Sequence, residues 1–377
     1  MILLDRISVL LVFLITTFSA IGQEKNVAFS YRTVSTQQHS GYYNPNGIST
    51  SFEGAINAKN YLTGRESNSE RTNKIQQLLD KHNKVVLPNY PITVSTKGLS
   101  LKSNSTLIFQ PKSQLIMENN SQDYYQLLKV HGVSNVKIYN ANLKGDRKGH
   151  RSKSGEWGYG ISIRSAKDIL IQNSKITDFW GDGIAIGYSN TSTNRNIEIR
   201  NAFIDNNRRN GISIMNVNGL LLENIYVSNT NGTLPMFGID FEPNNASDNL
   251  NNIRINNIQS YNNKMGGLMI TFNNLKPNSA KNILFNINNF SDDSSHEGIL
   301  IAGIPKTSKN LKGQINLNNI TLTRNARPLT GRTIHNDNVV VNIENLDVRN
   351  PKNKNISHAE VDRVFKTKKN YSIKFRR

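Results

Sequence analysis

The chain has 377 residues, no cysteine and a formal net charge of +19 at neutral pH. This length suits one large domain or two ordinary ones, and the lack of cysteine excludes a disulfide-built scaffold and any thiolate metal site. The positive surplus favours a polyanionic partner, whether nucleic acid, anionic lipid or acidic polysaccharide.

The first residues, MILLDRISVLLVFLITTFSAIGQ, set Arg6 ahead of an apolar run from Ile7 to Phe18, with small residues at Ala20 and Gly22. This is the pattern of a secretory signal over residues 1–22, cleaved before Gln23. A membrane anchor needs about 20 apolar residues, longer than this run. The expected location is therefore periplasmic, cell-surface or extracellular, which sets nucleic acid aside as a partner. An exported chain without disulfides has to hold together by packing and backbone hydrogen bonding, which argues for a large continuous core. Residues 23–66 are polar and carry no periodic pattern. NKIQQLLDKH, residues 73–82, spaces Ile75, Leu78 and Leu79 as a helix does. KVVLPNYPITV and STLIFQPKSQLIM then read as strands.

From residue 135 two lines interleave. One is NVKIYNANL, DILIQNSKI, NIEIRNAFI, GLLLENIYV and NIRINNIQS, with weaker copies NILFNINNF and GQINLNNIT. The other is GISI, GIAI, GISI, GIDF, GLMI and GILI, whose glycines at 160, 183, 211, 238, 267 and 298 lie 23 to 31 residues apart. Each unit holds two short alternating strands separated by Asn, Gly, Ser and Asp, too short for a helix-bearing repeat. The pattern predicts an all-β single-stranded parallel β-helix whose coils stack about 4.8 Å apart around an apolar interior. Asn140, Asn173, Asn201, Asn224 and Asn257 recur at one offset and are expected to stack as a ladder that ends where Ile287 takes the place. The helix at 73–82 is positioned to cap the first coil. The β-helix is assigned to residues 67–350, and 351–377 form a basic tail ending KTKKNYSIKFRR.

The segment KIQQLLDKHNKVVLPNYPITVSTKGLSLKSNSTLIF resembles the opening of pectate-lyase-like and polygalacturonase-like right-handed parallel β-helix proteins, in which a capping helix precedes the first coil. GDRKGHRSKSGEWGYGISI and FWGDGIAIG are similar to bacterial β-helix proteins found beside polysaccharide-handling systems. The resemblance spans residues 73–350 and implies a right-handed helix. It stops short of chemistry: the polygalacturonase signatures are represented only by GHR at 149–151, RIN at 254–256 and an Asp292-Asp293 pair placed in a turn, and the vWiDH signature of the pectate lyases is missing.

In the glycine line, the residues two after each glycine point outward: Ser162, Ala185, Ser213, Asp240, Met269 and Leu300. Small residues form a floor, ringed by Asp182, Asp240, Glu242 and Arg164, with Trp157, Tyr159 and Trp180 in the turns beside it. Flat aromatic walls beside a polar floor suit sugar rings. Asn210 and Phe237 stand in the column before the glycines and complete the expected substrate-binding set. Asp240 and Glu242 lie about 6.6 Å apart at Cα, and Asp182 roughly 10 Å away over two coils. That spacing allows glycoside hydrolysis with inversion, in which carboxyls sit about 6.5–9.5 Å apart. The expected catalytic residues are Asp182, Asp240, Glu242 and His150, the last beside Glu156 in the turn HRSKSGEW. The hydrolase needs no cofactor. Two alternatives use the same face: a lyase or uronate epimerase, in which the three acids hold Ca²⁺ and Lys144, Arg147, His150 or Arg164 serves as base, or a non-catalytic binder of acidic polysaccharide.

Overall fold

The computed structural model describes residues 28–188, 191–304, 309–349 and 371–375. The expected secretory signal lies outside them. The chain divides into two units, residues 1–30 and 31–377. In the first, only residues 28–30 are described, and they form no helix or strand.

The second unit is a right-handed parallel β-helix, with fifteen strands in one sheet and nine in the other. In the nine-stranded sheet, Ile161, Ile184, Ile212, Ile239, Leu268 and Ile299 stack in register and point into one continuous apolar interior. The repeated glycine has a steric cause. A Cβ on Gly160 would lie 2.5 Å from the carbonyl oxygen of Gly183, and one on Gly211 would lie 2.5 Å from that of Gly238. Coils at this spacing leave no room for a side chain at the corner.

In the fifteen-stranded sheet the long strands bend in mid-course. Lys167–Thr177 turns at Asn173, whose φ of 58° is left-handed. One such residue reverses the alternation, so Ile169 and Ile171 before it and Ile176 after it all reach the interior. Asparagine tolerates this conformation because its amide hydrogen-bonds locally. The side chains do form a ladder: Asn173 Nδ2 donates to Asn140 Oδ1 at 2.7 Å, and Asn257 Nδ2 to Asn224 Oδ1 at 2.6 Å. The expected end at Ile287 is corrected. Strand pairing sets Ile287 opposite Ile255 and Asn288 opposite Asn256, so the sequence copy is slipped by two residues. The left-handed position continues at Asn289, Asn319 and Asn345.

The helix runs from Asn68 to Lys81, five residues earlier than expected, because Ser67 and Glu70 form a capping box. It buries Thr72, Ile75, Leu78 and Leu79. Residues 31–57, unassigned from sequence, hydrogen-bond to left-handed asparagines of several coils, both in the ladder and beside it. Arg32 exchanges hydrogen bonds with the side chain of Asn229, Asn44 with that of Asn173, and Ile48 with that of Asn140, and Ile56–Asn57 then pairs with the first coil. His39 stacks on Phe203 at 4.1 Å along the way. At the other end, Tyr371–Phe375, expected within the basic tail, pairs with Val339–Arg349, and its Tyr371 and Ile373 pack on the interior. No helix of the described residues is long and apolar enough to cross a membrane.

Asn173→Ala is expected to cost about 2–4 kcal/mol by chemical denaturation, because it loses buried hydrogen bonds and strains a left-handed residue. Asn173→Gly keeps the conformation and should cost less. Equal costs would show that the ladder bonds, not the bend, dominate.

Candidate active site

The outward column of the shorter sheet is in register as expected, from Ser162 through Ala185, Ser213 and Asp240 to Met269 and Leu300. It is not an open floor, for all six residues are buried. Long side chains from neighbouring positions lie across the short ones. His131 Nε2 and Arg164 Nε reach Ser162 Oγ at 2.9 and 3.1 Å, and Arg209 Nη1 reaches Ser213 Oγ at 3.2 Å.

Arg209 organises the acids. Its guanidinium lies 3.1 Å from Asp182, 3.5 Å from Glu156 and 3.8 Å from Glu242. Asp240 joins through Asn210, whose Nδ2 donates to Asp240 Oδ2 and to Ser213 Oγ, both at 2.9 Å. The Asn210 backbone N–H donates to Asp182 at 3.0 Å, and Asn210 Oδ1 accepts from the Phe237 N–H at 2.9 Å. The three expected acids therefore share one cluster, around an arginine that the sequence reading missed. Arg209 stands in the turn NNRRNG, one coil beyond WGDG. Asp182 and Asp240 are buried, while the Glu242 side chain is 23% exposed, so the cluster meets solvent at Glu242.

Burial pushes Asp182 up to about 6 even though Arg209 pulls against it. Asp240 is held well above the usual carboxylate range by burial and then by the charge of Glu242. Its Oδ1 is buried without a hydrogen-bond partner, as suits a neutral carboxyl better than an anion. Glu242 is raised too, by burial first. Burial acts against the charge on Arg209, but Asp182 and Glu156 hold it ionised. The space a cation would take between Asp182 and Glu242 is filled by this guanidinium, and among the described residues no group of three or more His, Asp or Glu is placed to hold a metal. The acids as arranged do not fit Ca²⁺.

The other expected residues fall into three places. Tyr159, Asn210 and Phe237 are buried, and of these Asn210 bonds Asp182 and Asp240. His150 does not pair with Glu156. Its Nδ1 lies 2.8 Å from Asp146, which also accepts from the Tyr125 hydroxyl, and its ring stacks on Trp180 at 3.9 Å. The Trp180 ring also carries the Arg208 guanidinium, 4.0 Å from its centre, so it is occupied within the protein. Half-buried Trp157 lies in register with exposed Tyr124, and Arg164 donates to the Tyr124 hydroxyl at 2.9 Å. Of the candidate bases, Arg147 is committed to Asn206 and Asn231, and Lys144 is exposed. Asp292 and Asp293 close the strand Lys281–Asp293 instead of forming a turn. Asp292 is buried against Ser295 and Asn325.

These burials set a pH dependence. Asp292 and Glu297 are pushed up to about 7 and Asp182 to about 6, in each case mainly by burial. A carboxyl raised by folding contributes stability below its unfolded pKa and loses it as pH rises through the folded value. His39, His131 and His296 are lowered, mainly by burial, His131 to about 4. A lowered histidine contributes above its unfolded value and loses that contribution as pH falls. The Tm is therefore expected to be higher at about pH 6.5 than at about pH 8, with the gain flattening below about pH 6. A Tm that rises from the lower to the higher pH would contradict these assignments.

No family model matches the chain. Over 160 residues, 38% of this chain, it is 31% identical to the uncharacterized protein YclG of Bacillus subtilis, and the match spans 27% of that relative's length. Among solved structures it is similar to the Azotobacter vinelandii mannuronan C-5 epimerase AlgE6 A-module, with TM-score 0.54 and 14% identity over 78% of this chain and 94% of that one. It is also similar to a polygalacturonase from Erwinia carotovora, with TM-score 0.51 and 14% identity over 85% and 97%. At these identities the likeness is one of fold: the pectate-lyase-like right-handed β-helix.

Proposed function

We propose that this chain is an exported polysaccharide-active enzyme that hydrolyses glycosidic bonds of an acidic polysaccharide at the Asp182, Asp240 and Glu242 cluster. The observation that carries the reading is the convergence of three carboxyls from two coils around Arg209 and Asn210, with Asp240 raised by burial. Asp240, whose burial favours its protonated form, serves as the acid that protonates the leaving oxygen. Glu242, nearest to solvent and beside Arg209, serves as the base that takes a proton from water. Arg209 holds Glu242 and Asp182 in place and turns aside to admit the sugar. The fold's neighbours support the substrate class: the epimerase is named for mannuronan, and the second neighbour is a polygalacturonase. The formal charge of +19 supports an acidic polymer, and the leader-like residues 1–22 support export.

Product masses test this. Each hydrolytic cut of a polyuronate or sulfated polysaccharide adds one water to the summed mass of the two fragments. Elimination gives fragments without that gain and with ultraviolet absorbance. Epimerisation leaves chain length unchanged, and a binder retains the polymer without product. Any of the last three outcomes on a bound polymer would replace the hydrolase.

A further inference from the structure

Next to the acid cluster, toward the first coils, the same outer face changes sign. Lys129 and His131 lie in register with Ser162 and Arg164 of the following coil. Arg164 is held by four contacts: Ser162 Oγ at 3.1 Å, the Tyr124 hydroxyl at 2.9 Å, and the rings of Tyr188 and Tyr124 at 4.2 and 5.7 Å from its guanidinium carbon. None of these contacts is a carboxylate. Lys129 donates to a backbone carbonyl, that of Lys97, at 2.7 Å, and among the described residues it too has no acidic partner. Burial and then the charges of Arg164 and Lys129 push His131 down to about 4, so the ring is neutral and senses an unbalanced positive field. By contrast, the buried arginine of the acid cluster has three carboxylates around it. An arginine fixed by aromatic stacking and hydroxyls, with no counter-ion, is prepared for an anion from outside. Exposed Tyr124 and half-buried Trp157, in register on adjacent coils, supply a ring-sized apolar surface at its edge.

Resting on the reading of this face as a polysaccharide site, we propose that Arg164 and Lys129 form a subsite for the oxyanion substituent of an acidic sugar, with Tyr124 and Trp157 against the ring. The substituent is a uronate carboxylate or a sulfate ester. From Ser162 to Asp240 is three coil steps, about 14 Å along the axis, so the anion is read on a sugar other than the one at the acids.

Calorimetry with three probes, oligogalacturonate, an iota-carrageenan oligosaccharide and neutral dextran fragments, tests this on the wild-type chain and on Arg164→Gln, Lys129→Gln and Asp240→Asn. The wild type is expected to bind one or both anionic probes and not dextran, and the stronger of the two identifies carboxylate or sulfate. Arg164→Gln and Lys129→Gln should each weaken that binding about tenfold or more, with lower sensitivity to salt. Asp240→Asn should keep it. Wild-type affinity in both Arg164→Gln and Lys129→Gln, with Asp240→Asn losing cleavage, would overturn the subsite and leave the proposed function standing. Equal binding of dextran would overturn the subsite. Binding of none of the probes by the wild type would overturn both. Circular dichroism of each variant separates lost binding from lost folding.

Discussion

Asp240→Asn is expected to lower the cleavage rate by about 10²- to 10⁴-fold while leaving the chain folded and its affinity for polymer nearly unchanged. Asp240 is buried, and its Oδ2 accepts from Asn210. An asparagine of the same shape keeps that bond through its carbonyl oxygen but has no acidic proton to give a leaving group. Burial of the carboxyl and the nearby charge of Glu242 raise its pKa, so the proton-donating form persists to higher pH than in an ordinary carboxyl and activity should fall once rising pH ionises it. The amide carries no charge to bury, so Tm at about pH 8 should stay level or rise. A variant that cleaves at the wild-type rate would remove Asp240 from the chemistry. A variant that loses cleavage together with its Tm would show a structural role instead.

Arg209→Met is expected to destabilise the fold by about 3–5 kcal/mol at about pH 8, because it strips the partner from a buried carboxylate. Asp182 is fully buried and depends on this guanidinium at 3.1 Å, and Glu156 and Glu242 also lose their cation. Without it the folded pKa of Asp182 rises further above the unfolded value. The added penalty is therefore absent at low pH, where the carboxyl is protonated in both states, and grows as pH rises. Chemical denaturation should show a much smaller deficit at about pH 5 than at about pH 8, and Asp182→Asn combined with Arg209→Met should recover part of the loss. A deficit independent of pH would mean that Arg209 stabilises by packing alone.

The coil architecture was legible because it is written twice, as an aliphatic alternation and as a corner glycine that the next coil's carbonyl forbids from carrying a side chain. The ladder was misread at Ile287 because aligning NILFNINNF by its first asparagine slips the true pairing by two residues. The capping box at Ser67 and Glu70 was present in the sequence as S-x-x-E but lay ahead of the apolar spacing that located the helix. Residues 31–57 gave no signal because they bond mainly through backbone groups to the ladder's side-chain amides, which imposes no periodicity. In the site, Asp182 was placed by the turn WGDG, and the outward column with Asp240, and Glu242 two residues on, followed from period-2 geometry. Its cover did not, because whether Ser213 is open depends on where the long side chain of Arg209 folds, and that is a matter of contact across coils. His150 was paired with Glu156 by nearness in the chain, whereas its partner is Asp146, four residues earlier.

The most direct measurement is a crystal structure of Asp240→Asn soaked with an oligosaccharide that the chain binds. The expected result is a sugar chain lying across the outer face of the nine-stranded sheet, with one glycosidic oxygen at residue 240, Arg209 turned away from Ser213, and an anionic substituent on Arg164. A sugar bound on the fifteen-stranded sheet or along residues 31–57, with Arg209 still seated among Asp182, Glu156 and Glu242, would contradict the assignment of this face as the active site.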